Sequence, residues 1–191
     1  MTLSREDAKA RRRADLLAAA AQRFAADGFH ATTLGAVAAE AGVSAPAVYR
    51  HFDSKADLLA QMLVGVSQRL LAGGLAAMSQ PEPLRALCLA HARFAVNEAA
   101  VIRVQERELA GLDAEPRHLV RSLQAEYAQL WIRALAPLLP GAPESELRLR
   151  VHAAFGLLNS TPHALRRSGA VADPEGLFTE LSLAALTAGR R

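Results

Sequence analysis

The chain has 191 residues, a length that suits one domain or a small domain joined to a larger one. It is 51% hydrophobic but only 5% aromatic, so a sizeable core has to be built mostly of alanine and leucine. The formal net charge is only +3, which does not announce nucleic acid, and the single cysteine, Cys88, excludes an intrachain disulfide and fits a cytoplasmic protein.

The basic residues are unevenly placed. Arg5, Lys9, Arg11, Arg12 and Arg13 outnumber Glu6 and Asp7 at the N-terminus. With those acids present and only a short apolar run at residues 16–21, the segment does not read as a signal peptide. Its arginines, Arg11 to Arg13 above all, form a basic arm suited to neutralising phosphates or reaching a minor groove. The alternative is a solvated helix start. Ser4 and Asp7 fit a capping box, and a helix is expected from there to Asp27 with Leu17, Ala21 and Phe24 inward. Gly28 ends it.

Thr33 then caps a short helix whose inner face is Leu34, Val37, Ala38 and Ala41. Gly42 stands where a left-handed residue closes that helix, and Val43 tucks under the turn. Ser44 caps a second helix with Pro46 in its first turn, running to Phe52 with Val48 and Phe52 inward. Ala45, Pro46, Tyr49 and Arg50 are left outward. Helix, tight glycine turn and helix is the geometry that lays a recognition helix in a DNA major groove. Tyr49, His51 and Lys55 are phosphate-binding residue types. An ordinary helical hairpin inside a bundle has the same spacing.

The string TT…VA…AGVS…VYRHFDSKADLL, over about residues 11–63, resembles the DNA-binding signature of the TetR family of bacterial transcriptional regulators. The resemblance implies phosphate contacts at Thr33, Ser44, Tyr49, His51 and Lys55, and base reading at Ala45, Pro46, Ala47 and Arg50. Gly35 and Ala36 depart from the family, where polar or charged residues are frequent, so no capping-box acid follows Thr33.

Ser54 and Asp57 open a long helix with Leu58, Leu59, Met62, Leu63, Val66, Leu70 and Leu71 on one broad face, and Gly73-Gly74 is its expected end. No linker separates it from the DNA-binding motif. Gln80-Pro-Glu-Pro83 is a break. Leu84, Leu87, Cys88, His91, Phe94 and Ala95 recur at helical spacing, and residues 101–112 give a short charged segment. Leu119, Leu123, Tyr127, Leu130, Trp131 and Leu135 mark a long helix. Another is expected over 144–167, kinked or interrupted by Pro162, and a last one over 173–188 with Leu177, Phe178, Leu181, Ala184 and Ala185 inward. The longest stretch free of Asp, Glu, Lys and Arg, residues 151–165, holds Asn, Ser, Thr, Pro and two His, which argues against a membrane span.

The expected fold class is all-α, with about nine helices. Residues 1–53 form a three-helix helix-turn-helix head, and 54–191 a larger ligand-binding and dimerisation body. No catalytic constellation stands out. Glu115 and His118 give a single Glu-x-x-His spacing, and no nucleophile elbow or phosphate-binding glycine loop occurs. We expect no enzyme activity, cofactor, metal or membrane partner. The resemblance implies a homodimeric, ligand-responsive regulator, a repressor of a palindromic operator released by a small hydrophobic effector. Leu181, Ala184 and Ala185 are then expected at the dimer interface. His91, Phe94, Tyr127, Trp131, Phe155 and Asn159 are expected around the ligand. The string at 157–163 resembles regulators of lipid or acyl-thioester metabolism. The alternative is an all-helical enzyme or adaptor that does not bind DNA.

Overall fold

The structure, a computed structural model, describes residues 4–189. Among them are ten α-helices and no strand: α1 (Arg5–Asp27), α2 (Leu34–Glu40), α3 (Ala45–Val48), α4 (Lys55–Ala77), α5 (Pro83–Asn97), α6 (Ala99–Glu108), α7 (Ala114–Leu135), α8 (Glu144–Asn159), α9 (Thr161–Ser168) and α10 (Pro174–Thr187). The extra helix comes from residues 144–167, expected as one. The chain breaks at Ser160, and Pro162 lies in the first turn of α9, where a missing N–H costs nothing.

Local chemistry accounts for the first helix ends. Ser4 and Asp7 make the reciprocal capping box that starts α1. Ser54 accepts from the Asp57 amide at the start of α4. The Gly73-Gly74 pair does not stop α4, which runs on to Ala77. Gly74 is instead a packing residue. A Cβ there would lie 2.7 Å from Tyr127 Cε2 and 2.8 Å from Leu130 Cδ1, so the α4 backbone and α7 meet only because the side chain is absent.

Two hydrophobic cores share α4. The first joins Leu16, Ala20 and Phe24 of α1, Val37 and Ala38 of α2, Val48 and Phe52 after the turn, and Leu58, Met62 and Leu63 of α4. It also takes in Ala100, Val101 and Val104 of α6, so the small head is completed by body helices. The second joins Leu84, Leu87 and Cys88 of α5, Leu130, Trp131 and Leu135 of α7, Val151, Ala154 and Leu158 of α8, and Phe178 and Leu186 of α10. Each buried leucine contributes roughly 1.5–3 kcal/mol. By length and composition alone, α4 is apolar enough to cross a membrane. Its apolar face is spent on the two cores.

Candidate nucleic-acid interface and body cavity

The helix-turn-helix is built by backbone bonds that the sequence pattern anticipates. Thr33 Oγ1 accepts from the Ala36 amide at 3.1 Å and starts α2. Gly42 has φ +65°, Val43 N–H bonds Ala38 C=O at 2.9 Å, and Gly42 N–H bonds Ala39 C=O at 3.1 Å. That pair of bonds is the Schellman closure of a helix end. The recognition element is shorter than expected. Regular α-helix stops at Val48, and residues 49–51 continue as tight turns, with His51 N–H on Val48 C=O at 2.9 Å. Ser44 occupies the N-cap position, but its hydroxyl makes no capping bond and stays exposed. Pro46, Tyr49 and Arg50 are exposed, Ala45, Ala47 and His51 partly so.

The expected basic arm is not an arm. Arg11, Arg12 and Arg13 are exposed residues inside α1. Arg13 is tied to α4 by a hydrogen bond to Gln61, and its guanidinium lies 5.5 Å from the Phe52 ring centroid. Lys9, Arg12 and Arg13 of α1 and Arg50 gather around His51. Partial burial first, then these cations, hold its imidazole below the ordinary histidine range. A surface that disfavours a proton on His51 is one that favours a polyanion.

Lys55 differs from its expected place. Its ammonium does not project toward a phosphate. It donates to Phe29 O at 2.7 Å, Thr32 O at 2.8 Å and His30 O at 3.1 Å, and sits 4.6 Å from the Phe29 ring centroid. An ammonium has three protons to donate, and all three are engaged. The bend after α1 leaves carbonyls without helical partners, and Lys55 satisfies them.

The body encloses a cavity of about 650 Å³ between α5, α6, α7 and α8. Five of the six expected ligand residues line it: His91, Phe94, Tyr127, Phe155 and Asn159. Leu70, Ile102, Ala128 and Ile132 extend the apolar wall, while Arg121, Arg148, His152 and Glu106 bring charge to its outer part. His91 is buried at the centre of an aromatic cluster, stacked on Phe155 with centroids 5.3 Å apart and on Tyr127 at 5.8 Å. Its Nε2 lies 3.0 Å from Asn159 Oδ1 and its Nδ1 3.3 Å from the Tyr127 hydroxyl. Burial drives the imidazole down to about 4, against the opposing pull of Asn159, so the ring is neutral. The Asn159 oxygen can only accept, so Nε2 carries the proton, and the Tyr127 O–H donates to Nδ1. Burial also raises Tyr127 above the ordinary phenol range. A second cavity, of about 310 Å³ between α4 and α5, shares Leu70, Phe94 and Tyr127 with the first.

Residues 16–62 match the family model described as bacterial regulatory proteins, tetR family. The HTH-type transcriptional repressor KstR2 of Rhodococcus jostii (strain RHA1) is 31% identical over 163 residues, which span 80% of this chain and 77% of that protein. The chain belongs to the TetR family. Two solved structures share the fold. A TetR-family regulator from Bordetella parapertussis 12822 superposes with a TM-score of 0.79 at 23% identity, covering 91% of this chain and 93% of that one. FadR from Bacillus subtilis, solved in complex with stearoyl-CoA, gives 0.69 at 17% identity, covering 91% and 97%. This TetR-family member is a DNA-binding transcriptional regulator, a reading that displaces the all-helical enzyme or adaptor.

Two expectations for the TetR-family body change. Trp131, the sixth expected ligand residue, is fully buried behind the cavity wall, edge-on to Phe155 at 5.1 Å and to His91 at 5.9 Å. The inner face of α10 is Phe178, Thr179, Ser182 and Leu186, whereas Leu177, Leu181, Ala184 and Ala185 are exposed. Polar residues can face inward there because Thr179 Oγ1 donates to Glu175 O at 2.7 Å and Ser182 Oγ to Thr179 O at 2.9 Å. Hydroxyls satisfied within their own helix cost little to bury. The outward apolar residues were the hydrophobic signal in the sequence, and polarity alone hid the inner face.

Proposed function

We propose that this regulator is a cytoplasmic homodimeric repressor that holds a two-fold operator and releases it when an acyl-thioester enters the body cavity. Residues 1–53 carry the DNA contacts in this reading, and 54–191 the effector and the partner subunit. Thr33, Ser44, Tyr49 and His51 hold phosphates. Ala45, Pro46 and Ala47 allow close approach to thymine methyls, and Arg50 reads a guanine. The partner packs against Leu181, Ala184 and Ala185 of α10 beside the exposed Leu149 of α8. Such a dimer holds two recognition helices about 34 Å apart, one turn of DNA.

One observation carries the effector class: the cavity is apolar within and basic outside. Its 650 Å³ lies in the range of small-molecule sites. Arg121, Arg148 and His152 meet an anionic head group there, while Phe94, Ile102 and Ile132 take a hydrocarbon. FadR, of the same fold, was solved with stearoyl-CoA, and KstR2 is a repressor; both agree with this reading.

The test is a gel-shift titration on DNA upstream of the gene, with and without acyl-CoA thioesters of graded length. Wild type binds, and a thioester releases it. Arg50→Ala binds roughly 1–3 kcal/mol more weakly and loses its preference at one base pair per half-site. Uniform weakening on all sequences makes Arg50 a phosphate contact. Complexes that no thioester disturbs overturn the effector class.

A further inference from the structure

The cavity wall is apolar except at one place, where His91, Tyr127 and Asn159 form a hydrogen-bonded chain. The chain has a direction. Tyr127 donates to His91, and His91 donates to Asn159. Both nitrogens of the neutral ring are thereby used, and His91 has nothing left to offer a ligand. Asn159 does. Its oxygen is committed to His91, and its amide nitrogen has no partner among the described residues although the residue lines the cavity. The Tyr127 hydroxyl, having given its proton, keeps lone pairs of its own.

We infer that the effector carries a neutral oxygen function, a ketone or a hydroxyl, on the part that enters the cavity, received by the Asn159 amide beside the Tyr127 hydroxyl. The inference rests on the reading of this cavity as the effector site and sharpens it. The Asn159 amide requires an acceptor, and a bare hydrocarbon would strip its water without replacing it. A carboxylate is an acceptor too, but it needs a cation. The cationic residues on the same side of the cavity are far from Asn159. Arg148 is eleven residues earlier on α8, about 16 Å of helix rise. His152 is seven residues earlier, about 10 Å. Residues 148, 151, 152, 155 and 159 all line the cavity and form one stripe along α8. The ligand that fits this stripe has its anionic end at Arg148 and its neutral oxygen at Asn159. His91 is the positioning residue. It fixes the rotamers of both partners and, being neutral, fixes which atom of each is free.

The test uses full-length protein and the fluorescence of its single tryptophan, Trp131, which touches the His91 cluster. Four probes are titrated: decanoyl-CoA, its counterpart with a ketone near the chain end, its counterpart with a terminal carboxylate, and 2-decanone. The ketone thioester is expected to bind about tenfold tighter than decanoyl-CoA, and the carboxylate more weakly than either. Asn159→Leu should bring the first two to the same affinity. Asn159→Asp, close to the native shape but lacking the donor, should also erase the preference and serves if the leucine variant does not fold. Equal binding of decanoyl-CoA and the ketone thioester by wild type overturns the inference. If no thioester binds but 2-decanone does, and Asn159→Leu abolishes it, the thioester reading falls and the inference stands. If 2-decanone also fails to bind, or binds the variant equally well, the inference falls.

Discussion

At the scale of the residue, two side chains do work that their type alone conceals. Lys55 looks like a phosphate ligand but serves as a clamp, pinning the start of α4 to the bend after α1 through three carbonyls. Replacing it with methionine leaves those carbonyls short of donors. Thermal or urea unfolding should show a loss of roughly 1.5–3 kcal/mol. The slope of log DNA affinity against log salt should stay that of wild type, because no phosphate contact is removed. A slope shallower by about one unit per subunit would return Lys55 to the DNA backbone. His91 has the opposite character, a titratable group kept neutral. Its folded pKa is depressed to about 4 by burial, below the ordinary value of 6.5. The unfolded chain therefore binds a proton first on acidification. The stability tied to His91 is intact above about pH 6.5 and is lost as pH falls toward 4, by up to roughly 3 kcal/mol. His91→Gln should flatten that part of a stability–pH profile, and an unchanged profile would show that the imidazole is solvated.

At the scale of the element, α4 and α6 each belong to both halves of the molecule. Along α4, the Lys55 clamp grips the head at one end, and Gly74 lies against the Tyr127 ring at the other. Pressure on Tyr127 from within the cavity therefore acts on the α4 backbone directly. Helix α6 gives a second route. Ile102 and Gln105 line the cavity, Val101 and Val104 belong to the head core, and Arg107 Nη2 donates to Phe24 O at 2.7 Å and Ala25 O at 3.2 Å. The last turn of α1 has no basic residue of its own, so Arg107 supplies the cation that its carbonyl end favours. The expectation that α4 alone joins head and body is thus too narrow. Gly74→Ala should cost about 1–3 kcal/mol through overpacking. By displacing Tyr127 it should also shift the effector concentration needed to release DNA. The neighbouring Gly73→Ala meets nothing within 4 Å and should stabilise by about 0.5–1 kcal/mol through helix propensity alone. Melting curves and release titrations on both variants check this, and identical behaviour of the two would remove Gly74 from the coupling.

At the scale of the whole molecule, the unexplained surface is the outer face of α8 and α10. Leu149 is 70% exposed, Leu177 48% and Leu181 46%, and they stand beside Ala184 and Ala185. Large leucines bare on adjacent helices mark a face that a partner covers. Leu181→Glu should give a monomer by size-exclusion chromatography with light scattering. It should also weaken DNA binding severely, since one head alone reads half a site. A variant that remains dimeric would place the interface elsewhere.

The head was legible from residues 33–55 because its geometry is local. A capping hydroxyl, a glycine in the left-handed region and a proline in a first turn act within a few residues of themselves. The helical class followed from apolar spacing for the same reason. Tertiary structure decided the rest. Asn159 meets His91 across 68 positions of chain, and Lys55 meets Phe29 across 26. No periodicity records such a pairing, because the partner atoms are a carbonyl or an amide that many residues carry. The inward face of α10 was hidden because hydroxyls bonded within their own helix pack as apolar surface does. The role of Gly74 was hidden because a missing side chain gains meaning only from the ring that fills its space.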